Sequence, residues 1–282
     1  MLTTETASMI ELEAAGLSDP GPYRSNNEDT IGSLEPPDPA VRERKGCLYA
    51  LADGVGGHSA GEVASATAVA TLVEEYFSPS NHSRIEPALR HAMQRANLRV
   101  HDLSQRSVEL RSMATTLTAV ALAGSQAYIA HVGDSRAYLW RDGTLTQLTS
   151  DHSEVAELVR MRIVKPERVR DHPGRNILTR TIGSQLILRP DFQRQTVRSG
   201  DKLLLCSDGL WSDVVETEMA EILASCNPAE ACRALIDRAI ERECLDNVSV
   251  QVVKVVAVEM DPSQNAARNG WFSGIFRRSS AT

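Results

Sequence analysis

Aromatic residues are scarce, 4% of 282, so the core has to be built mainly from Ala, Val, Leu and Ile. No apolar run approaches the ~18 residues that a membrane-spanning helix requires. The five cysteines (Cys47, Cys206, Cys226, Cys232 and Cys244) are odd in number and lack CxxC spacing. They read as buried reduced thiols, against a disulfide framework or a zinc site. The first residues, MLTTETASMIELEAAG, have neither a basic start nor an apolar stretch, so the expectation is no secretory signal and a cytoplasmic protein. An excess of basic residues is also absent. Lys and Arg total 30 against 37 Asp and Glu, a net charge of −7, which argues against binding nucleic acid through the whole surface. What remains is ordinary for a globular chain: 42% hydrophobic and 24% charged residues, too apolar for a disordered scaffold. The length fits one large domain or two small ones.

Hydrophobic patterning gives helices inserted between runs of antiparallel strand, an α+β chain. Strands are expected near Leu17 and at Cys47–Ala52, 115–122, 126–132, 136–140, 203–207 and 248–258. Asp142-Gly143 marks a tight hairpin. Leu89, Met93, Ala96, Val100 and Leu103 recur at helical spacing, and residues 59–77, 216–224 and 229–241 also read as helices. The Pro-rich stretch 34–45 reads as an exposed loop, and 151–180, rich in Arg and acidic residues, as an exposed helical excursion. The expected boundaries are an extension at 1–14, a domain at 15–257 and a flexible tail at 258–282.

Carboxylates recur where apolar strands stop. Asp53-Gly54 follows YALA, Gly133-Asp134 follows AYIAHV, Asp208-Gly209 follows LLLCS, Asp246-Asn247 precedes VSVQVV, and Asp29 ends RSNNED. One Asp-Gly pair is no more than a turn signal. Five carboxylates abutting buried strands would face desolvation and mutual repulsion unless a cation joined them. Oxygen donors of this kind suit Mg²⁺ or Mn²⁺, and the lack of HExxH or Cys/His ligand spacing disfavours zinc.

Seven short motifs in order, RSNNED (24–29), ADGVGGH (52–58), TTLTA (115–119), VGDSR (132–136), LTRTIG (178–183), SDGLW (207–211) and DNVS (246–249), resemble the metal-dependent serine/threonine protein phosphatases of type 2C, in their compact bacterial form. The resemblance implies a four-layer α-β-β-α sandwich with a dinuclear Mn²⁺ or Mg²⁺ site at one end. It implies hydrolysis of phosphoserine and phosphothreonine by a metal-bridged hydroxide, without a covalent phosphoenzyme, in opposition to a bacterial Ser/Thr kinase. A monomer is the family-level expectation.

Residue by residue, the resemblance makes Asp53 the carboxylate shared by two metals and the Gly54 carbonyl a ligand to one of them. Asp208 and Asp246 resemble ligands of the other. Glu28 and Asp29 resemble acidic residues that hold metal-bound waters, Asp29 being also a candidate direct ligand, and Asp134 with Asp208 resembles a third, weaker metal site. Arg24 resembles the phosphate clamp, a role that suits a planar guanidinium. His58 is a candidate general acid or a loop-orienting residue. Residues 151–189 resemble a flap beside the site, read equally as a solvated surface or as a gate.

Two departures stand out. Ala114 replaces a glycine common before the paired threonines, at roughly 1 kcal/mol if that position needs positive φ. Met161-Arg162-Ile163 replaces a glycine-containing turn in the flap. The tail segment GWFSGIFRR (270–278) reads as a sticky end, a docking peptide or a membrane-surface anchor. Two other classes compete: a phosphoprotein-binding pseudophosphatase, which loss of Asp53, Asp208 or Asp246 would favour, and a hydrolase of small phosphate esters, whose metal core would look the same.

Overall fold

The structure, a computed structural model, describes residues 10–55, 60–81 and 83–258. Along the chain run β1 (Ile10–Asp19), β2 (Asp29–Leu34), α1 (Pro39–Lys45), β3 (Cys47–Asp53), α2 (Gly61–Phe77), α3 (Ile85–Ser104), β4 (Leu117–Ala123), β5 (Gln126–Val132), β6 (Arg136–Arg141) and β7 (Thr144–Gln147). There follow α4 (Glu154–Arg160), β8 (Asp191–Thr196), β9 (Lys202–Cys206), α5 (Asp208–Trp211), α6 (Glu216–Ser225), α7 (Pro228–Glu241) and β10 (Val248–Val258). One antiparallel sheet has the order β1-β10-β9-β6-β7, the other β2-β3-β4-β5-β8.

Side-chain alternation explains why the strands read as unbroken apolar runs. In β3, Cys47, Tyr49 and Leu51 join the core between the sheets, with Val120, Ile129, Leu139, Leu203 and Val253. Leu48, Ala50 and Ala52 point the other way, into a layer shared with Leu72, Tyr76, Leu89 and Met93 of α2 and α3. In the second sheet Leu204 and Cys206 pack likewise against Met219, Leu223, Leu235 and Ile236 of α6 and α7. Strands buried on both faces carry apolar residues at every position. Each fully buried Leu, Ile or Val contributes about 1.5–3 kcal/mol. Small residues do the rest: Ala64, Ala68, Ala88, Ala92 and Ala96 are buried and leave room for the helices to lie close on the sheet. The result is the expected α-β-β-α sandwich.

Antiparallel pairing throughout brings alternate strand ends to one pole. Asp29 faces Asp53 across β2 and β3, Asp19 faces Val248 across β1 and β10, and Arg136 faces Cys206 across β6 and β9. The expected carboxylate pole is thus a property of the topology.

The structure corrects several readings. Within the expected loop 34–45 lies α1, because Asp38 caps its N-terminus by accepting from the Ala40 N–H at 2.9 Å and Pro39 occupies the first helical position, where a missing N–H costs nothing. In 151–180 helix is confined to α4 and a 3₁₀ turn at Pro166–Arg168; the remainder is turns. Strand pairing starts at Ile10, opposite Val258, so residues 10–14 lie in the sheet instead of an extension. Ala114 is not among the positive-φ residues, so the expected strain does not arise. The tail from 259 onward and His58 lie outside the described residues.

The turn 161–163 keeps a left-handed position without glycine. Arg162 has φ +59, its N–H donates to the Val159 carbonyl, and the Ile163 N–H donates to that of Leu158, both at 2.9 Å. This is a Schellman closure of α4 with Arg where glycine is favoured. Arg162→Gly should raise stability by roughly 0.5 kcal/mol, since relief of strain exceeds the added unfolded-state entropy. A urea midpoint lower than wild type would contradict this.

Candidate metal centre

Asp53 ends β3 and begins the site. Its N–H donates to Thr116 Oγ1 at 2.8 Å, and its carbonyl accepts from the Thr116 N–H at 2.8 Å and from Thr115 Oγ1 at 2.8 Å. The paired threonines therefore fix its backbone. Gly54 follows where the first turn of α2 crosses: a Cβ there would stand 2.4 Å from the Gly61 carbonyl oxygen, so only glycine lets these backbones meet. Gly61 in turn lies against the Glu28 carboxylate, whose Oε2 would be 2.6 Å from an added Cβ.

Asp29 belongs to one sheet but is held by the other. Ser207 Oγ donates to its Oδ2 at 2.7 Å, while Oδ1 is buried without a hydrogen-bond partner. Such an oxygen is costly unless a cation or solvent meets it. Asp208 opens α5, and Asp246 lies just before β10. Arg24 Nη2 donates to Asp246 Oδ2 at 2.9 Å and its Nε to the Leu245 carbonyl at 3.2 Å. The Arg24 side chain keeps 49% of its surface exposed, so the guanidinium stands at the mouth of the site.

Negative charge is concentrated here and only partly offset by Arg24, Arg136 and Arg175. Burial, followed by the Asp29, Asp208, Asp134 and Asp246 charges, holds the Asp53 carboxyl well above its ordinary range. Burial and then Asp246 and Asp29 push Asp208 up to about 7. Burial lifts Asp29 to about 6 despite the hydrogen bond from Ser207. Asp134 is raised by burial, Asp208 and Asp151. Glu28 is raised by burial and by Glu62, with Arg24 acting in the opposite direction.

The structure thus brings Glu28, Asp29, Asp53, Asp134, Asp208 and Asp246 to one pole with Arg24 beside them. Among the described residues no three His, Cys, Asp or Glu side chains close around one point at ligand distance. The carboxylates line the pole side by side, which suits cations that keep several waters. The unpartnered Asp29 oxygen and the all-oxygen, anionic donor set fit Mg²⁺ or Mn²⁺.

Sequence reasoning missed the supports. Asn247 donates to the Pro20 and Asn26 carbonyls, each at 2.9 Å, and accepts from the Glu28 N–H at 2.8 Å, tying the loop before β10 to the whole connection between β1 and β2. Trp211 Nε1 donates to the Asp134 carbonyl at 3.0 Å. Arg136 stacks 3.7 Å over the Trp211 ring and forks onto Asp151, the shortest contact 2.7 Å. Glu62 and the flap residue Arg175, whose charge lowers the Asp208 carboxyl, were also missed. Amides, hydroxyls and arginines carry no pattern of their own; only their places inside the short motifs could have flagged Thr116, Arg136, Trp211 and Asn247. His152, read as a surface or packing residue with a possible substrate contact, is fully buried. His172 accepts from the Gly174 N–H at 3.1 Å.

The family profile for protein phosphatase 2C matches residues 25–241. A putative protein phosphatase 2C-type of Streptococcus pyogenes is 40% identical over 240 residues, covering 84% of this chain and 94% of that protein. The Mycobacterium tuberculosis serine/threonine phosphatase PstP/Ppp aligns with TM-score 0.77 at 36% identity, over 87% of this chain and 99% of that one. A structure of the PstP catalytic domain in complex with two manganese ions gives TM-score 0.75 at 35% identity, over 87% and 98%. With its order of strands, its carboxylate pole and these likenesses, the chain belongs to the protein phosphatase 2C family.

Proposed function

We propose that the pole holds two divalent cations, Mn²⁺ or Mg²⁺, and that the chain hydrolyses phosphoserine and phosphothreonine in proteins. The observation that carries this reading is the cluster of Asp29, Asp53, Asp134 and Asp208 at one pole, whose proton affinities burial and mutual repulsion raise although Arg136 and Arg175 act in the opposite direction on Asp134 and Asp208. Asp53, whose carboxyl is raised by the charges of four other aspartates, the Gly54 carbonyl, Asp208 and Asp246 would hold the two cations, and Glu28 and Asp29 would orient water beside them. Asp134 with Asp208 would hold a further, weaker cation.

When bound, the cations supply acidity to water and counter-charge to the phosphoryl oxygens. The protein supplies the rest. Arg24, braced by Asp246 and the Leu245 carbonyl, binds and orients the phosphoryl group and stabilises charge on its oxygens as the bond to the serine or threonine breaks. Thr115, Thr116 and Asn247 fix the backbone from which the carboxylates project, so little reorganisation accompanies the reaction. His58 follows Asp53 closely enough in sequence to act as a general acid or to orient the loop.

Arg24→Ala should raise KM for a phosphopeptide about tenfold, the loss of one charge-assisted contact, with little change in Mn²⁺ affinity. An unchanged KM would remove the clamp role. The expected cellular setting is a cytoplasmic monomer opposing a Ser/Thr kinase; no described helix is long and apolar enough to cross a membrane. The function is tested by phosphate release from a phosphothreonine peptide with Mn²⁺ and with EDTA. Manganese-dependent release abolished by EDTA is expected. No release from folded protein on any phosphopeptide would overturn the reading in favour of phosphoprotein binding.

A further inference from the structure

Trp271, Phe272, Ile275 and Phe276 have no role so far. They fall at i, i+1, i+4 and i+5, a spacing that puts all four on one face of a helical turn, and Arg277 and Arg278 follow directly. Left in water, such a face invites association.

A groove of about 540 Å³ lies between the start of β7 and the outer side of α6. Leu145, Ala220 and Ala224 give it apolar walls, and Leu145 packs on the cluster beneath α6 and α7. β7 is the last strand of its sheet, so among the described residues no further strand covers this side. Glu221 borders the groove and is exposed. Among the described residues its carboxylate meets no cation. The groove thus offers an apolar wall beside an open negative charge, and the segment offers an apolar face beside two positive ones.

The segment departs from the right place. β6 leaves the carboxylate pole at Arg136 and ends at Arg141, so the Asp142-Gly143 turn lies at the other pole, as Val258 does. The two are bridged: Arg198 pairs with Asp142, and the next residue, Ser199, accepts from the Val258 N–H through Oγ at 3.3 Å. Arg141 forks onto Asp201 at 2.8 and 2.6 Å. Between β10 and β7 stand β9 and β6, a separation of three strand spacings or about 14 Å. Trp271 lies thirteen residues beyond Val258, and a coil of that length has a root-mean-square reach of roughly 20 Å. Reach and separation are similar, the condition under which a tether gives its highest effective concentration, on the order of millimolar. A groove too small to hold a free peptide tightly can therefore hold this one.

We infer that the groove between β7 and α6 is the docking site of this chain's own segment 271–278, its apolar face against Leu145, Ala220 and Ala224 and its arginines beside Glu221. The site is far from the mouth where Arg24 stands, so the inference is independent of the phosphatase reading.

The test is chymotryptic cleavage after Trp271 and Phe272 in the whole chain, read by mass spectrometry against a synthetic peptide of residues 265–282. Cleavage of a docked segment follows the population of its released form, so wild type should be cut about tenfold more slowly than the peptide. Ala224→Arg, at an exposed helical position, fills the groove with like charge and should abolish the protection. Glu221→Arg should weaken it, and so should Arg277→Glu with Arg278→Glu; the three changes together should restore it. The arginine pair lies outside the folded domain and carries the test if a groove variant does not fold. Wild type cut as fast as the peptide overturns the inference, as does protection that survives both Ala224→Arg and Glu221→Arg. Protection that grows with protein concentration assigns the segment to a second copy, and protection seen only with vesicles of anionic phospholipid assigns it to a membrane surface; either overturns docking within the chain.

Discussion

Asp53→Asn should lower phosphopeptide turnover by ~10³-fold or more while making the protein more stable in EDTA. Both halves follow from one fact: Asp53 stands half-buried among four other aspartates, and desolvation and all four charges raise its proton affinity. Near neutral pH without cations, the fold has to keep a proton on that carboxyl or tolerate a desolvated charge. An amide of the same shape removes the problem and keeps the Asp53 backbone bonds to Thr116. The gain should be on the order of 2 kcal/mol, in the range seen when a functional residue is replaced for stability. Saturating Mn²⁺ should reverse the ranking, because ligand binding to the native state stabilises wild type by mass action and the variant much less. Thermal unfolding of both proteins, with EDTA and with Mn²⁺, reads the crossing directly. Wild-type turnover, or a variant less stable in EDTA, would show that hydrogen bonding rather than repulsion governs this position.

Stability in EDTA should fall as pH rises from about 4 to about 7, opposite to the usual behaviour of salt-bridged carboxylates. Burial and neighbouring charge lift Asp29 to about 6 and Asp208 to about 7 from an ordinary value of 3.8. Their folded-state values exceed the unfolded ones, so the native state binds more protons across this interval. The stabilisation is complete below the ordinary value and is lost as pH climbs through 6 and 7. For Asp208 alone, the rise from 3.8 to about 7 corresponds to roughly 4 kcal/mol, and the aspartates share rather than sum this amount because they interact. Cations compete with those protons, so the Mn²⁺-induced rise in unfolding midpoint should grow over the same interval. Urea titrations at pH 5, 6, 7 and 8, with and without Mn²⁺, test this. A flat or rising stability in EDTA would mean that the carboxylates find compensation without a cation.

Much of the centre was legible because antiparallel topology and strand-end carboxylates are both written locally. An apolar run that halts at Asp-Gly announces a buried strand and an acidic end, and pairing such as Asp29 with Asp53 follows once the strands alternate. The four layers, the number of cations and the roles of Arg24 and Glu28 came from resemblance alone. The misses are of two kinds. Helix α1 was hidden because Pro is a breaker in general but a starter at the first position after Asp38, and composition does not distinguish the two. His152, Asn247 and Trp211 were hidden because their value lies in which distant carbonyl or N–H they meet; His152 and Gly133 are joined only by the fold. The flap was read as too helical because charged residues at mixed spacing mimic a solvated helix, whereas its turns are held by backbone bonds such as those closing α4 at Ile163.

The pairing of Ile10 with Val258 has a practical reach. Strand β1 runs ten residues from there to Asp19 at the carboxylate pole, a span of about 34 Å at strand rise. The first and last described residues therefore lie side by side at the pole opposite the chemistry. A tether, tag or neighbouring module joined through either one hangs away from the mouth where Arg24 stands. Joining the two by a short linker and reopening the chain at the Asp142-Gly143 hairpin would give a circular permutant whose new ends again avoid that mouth.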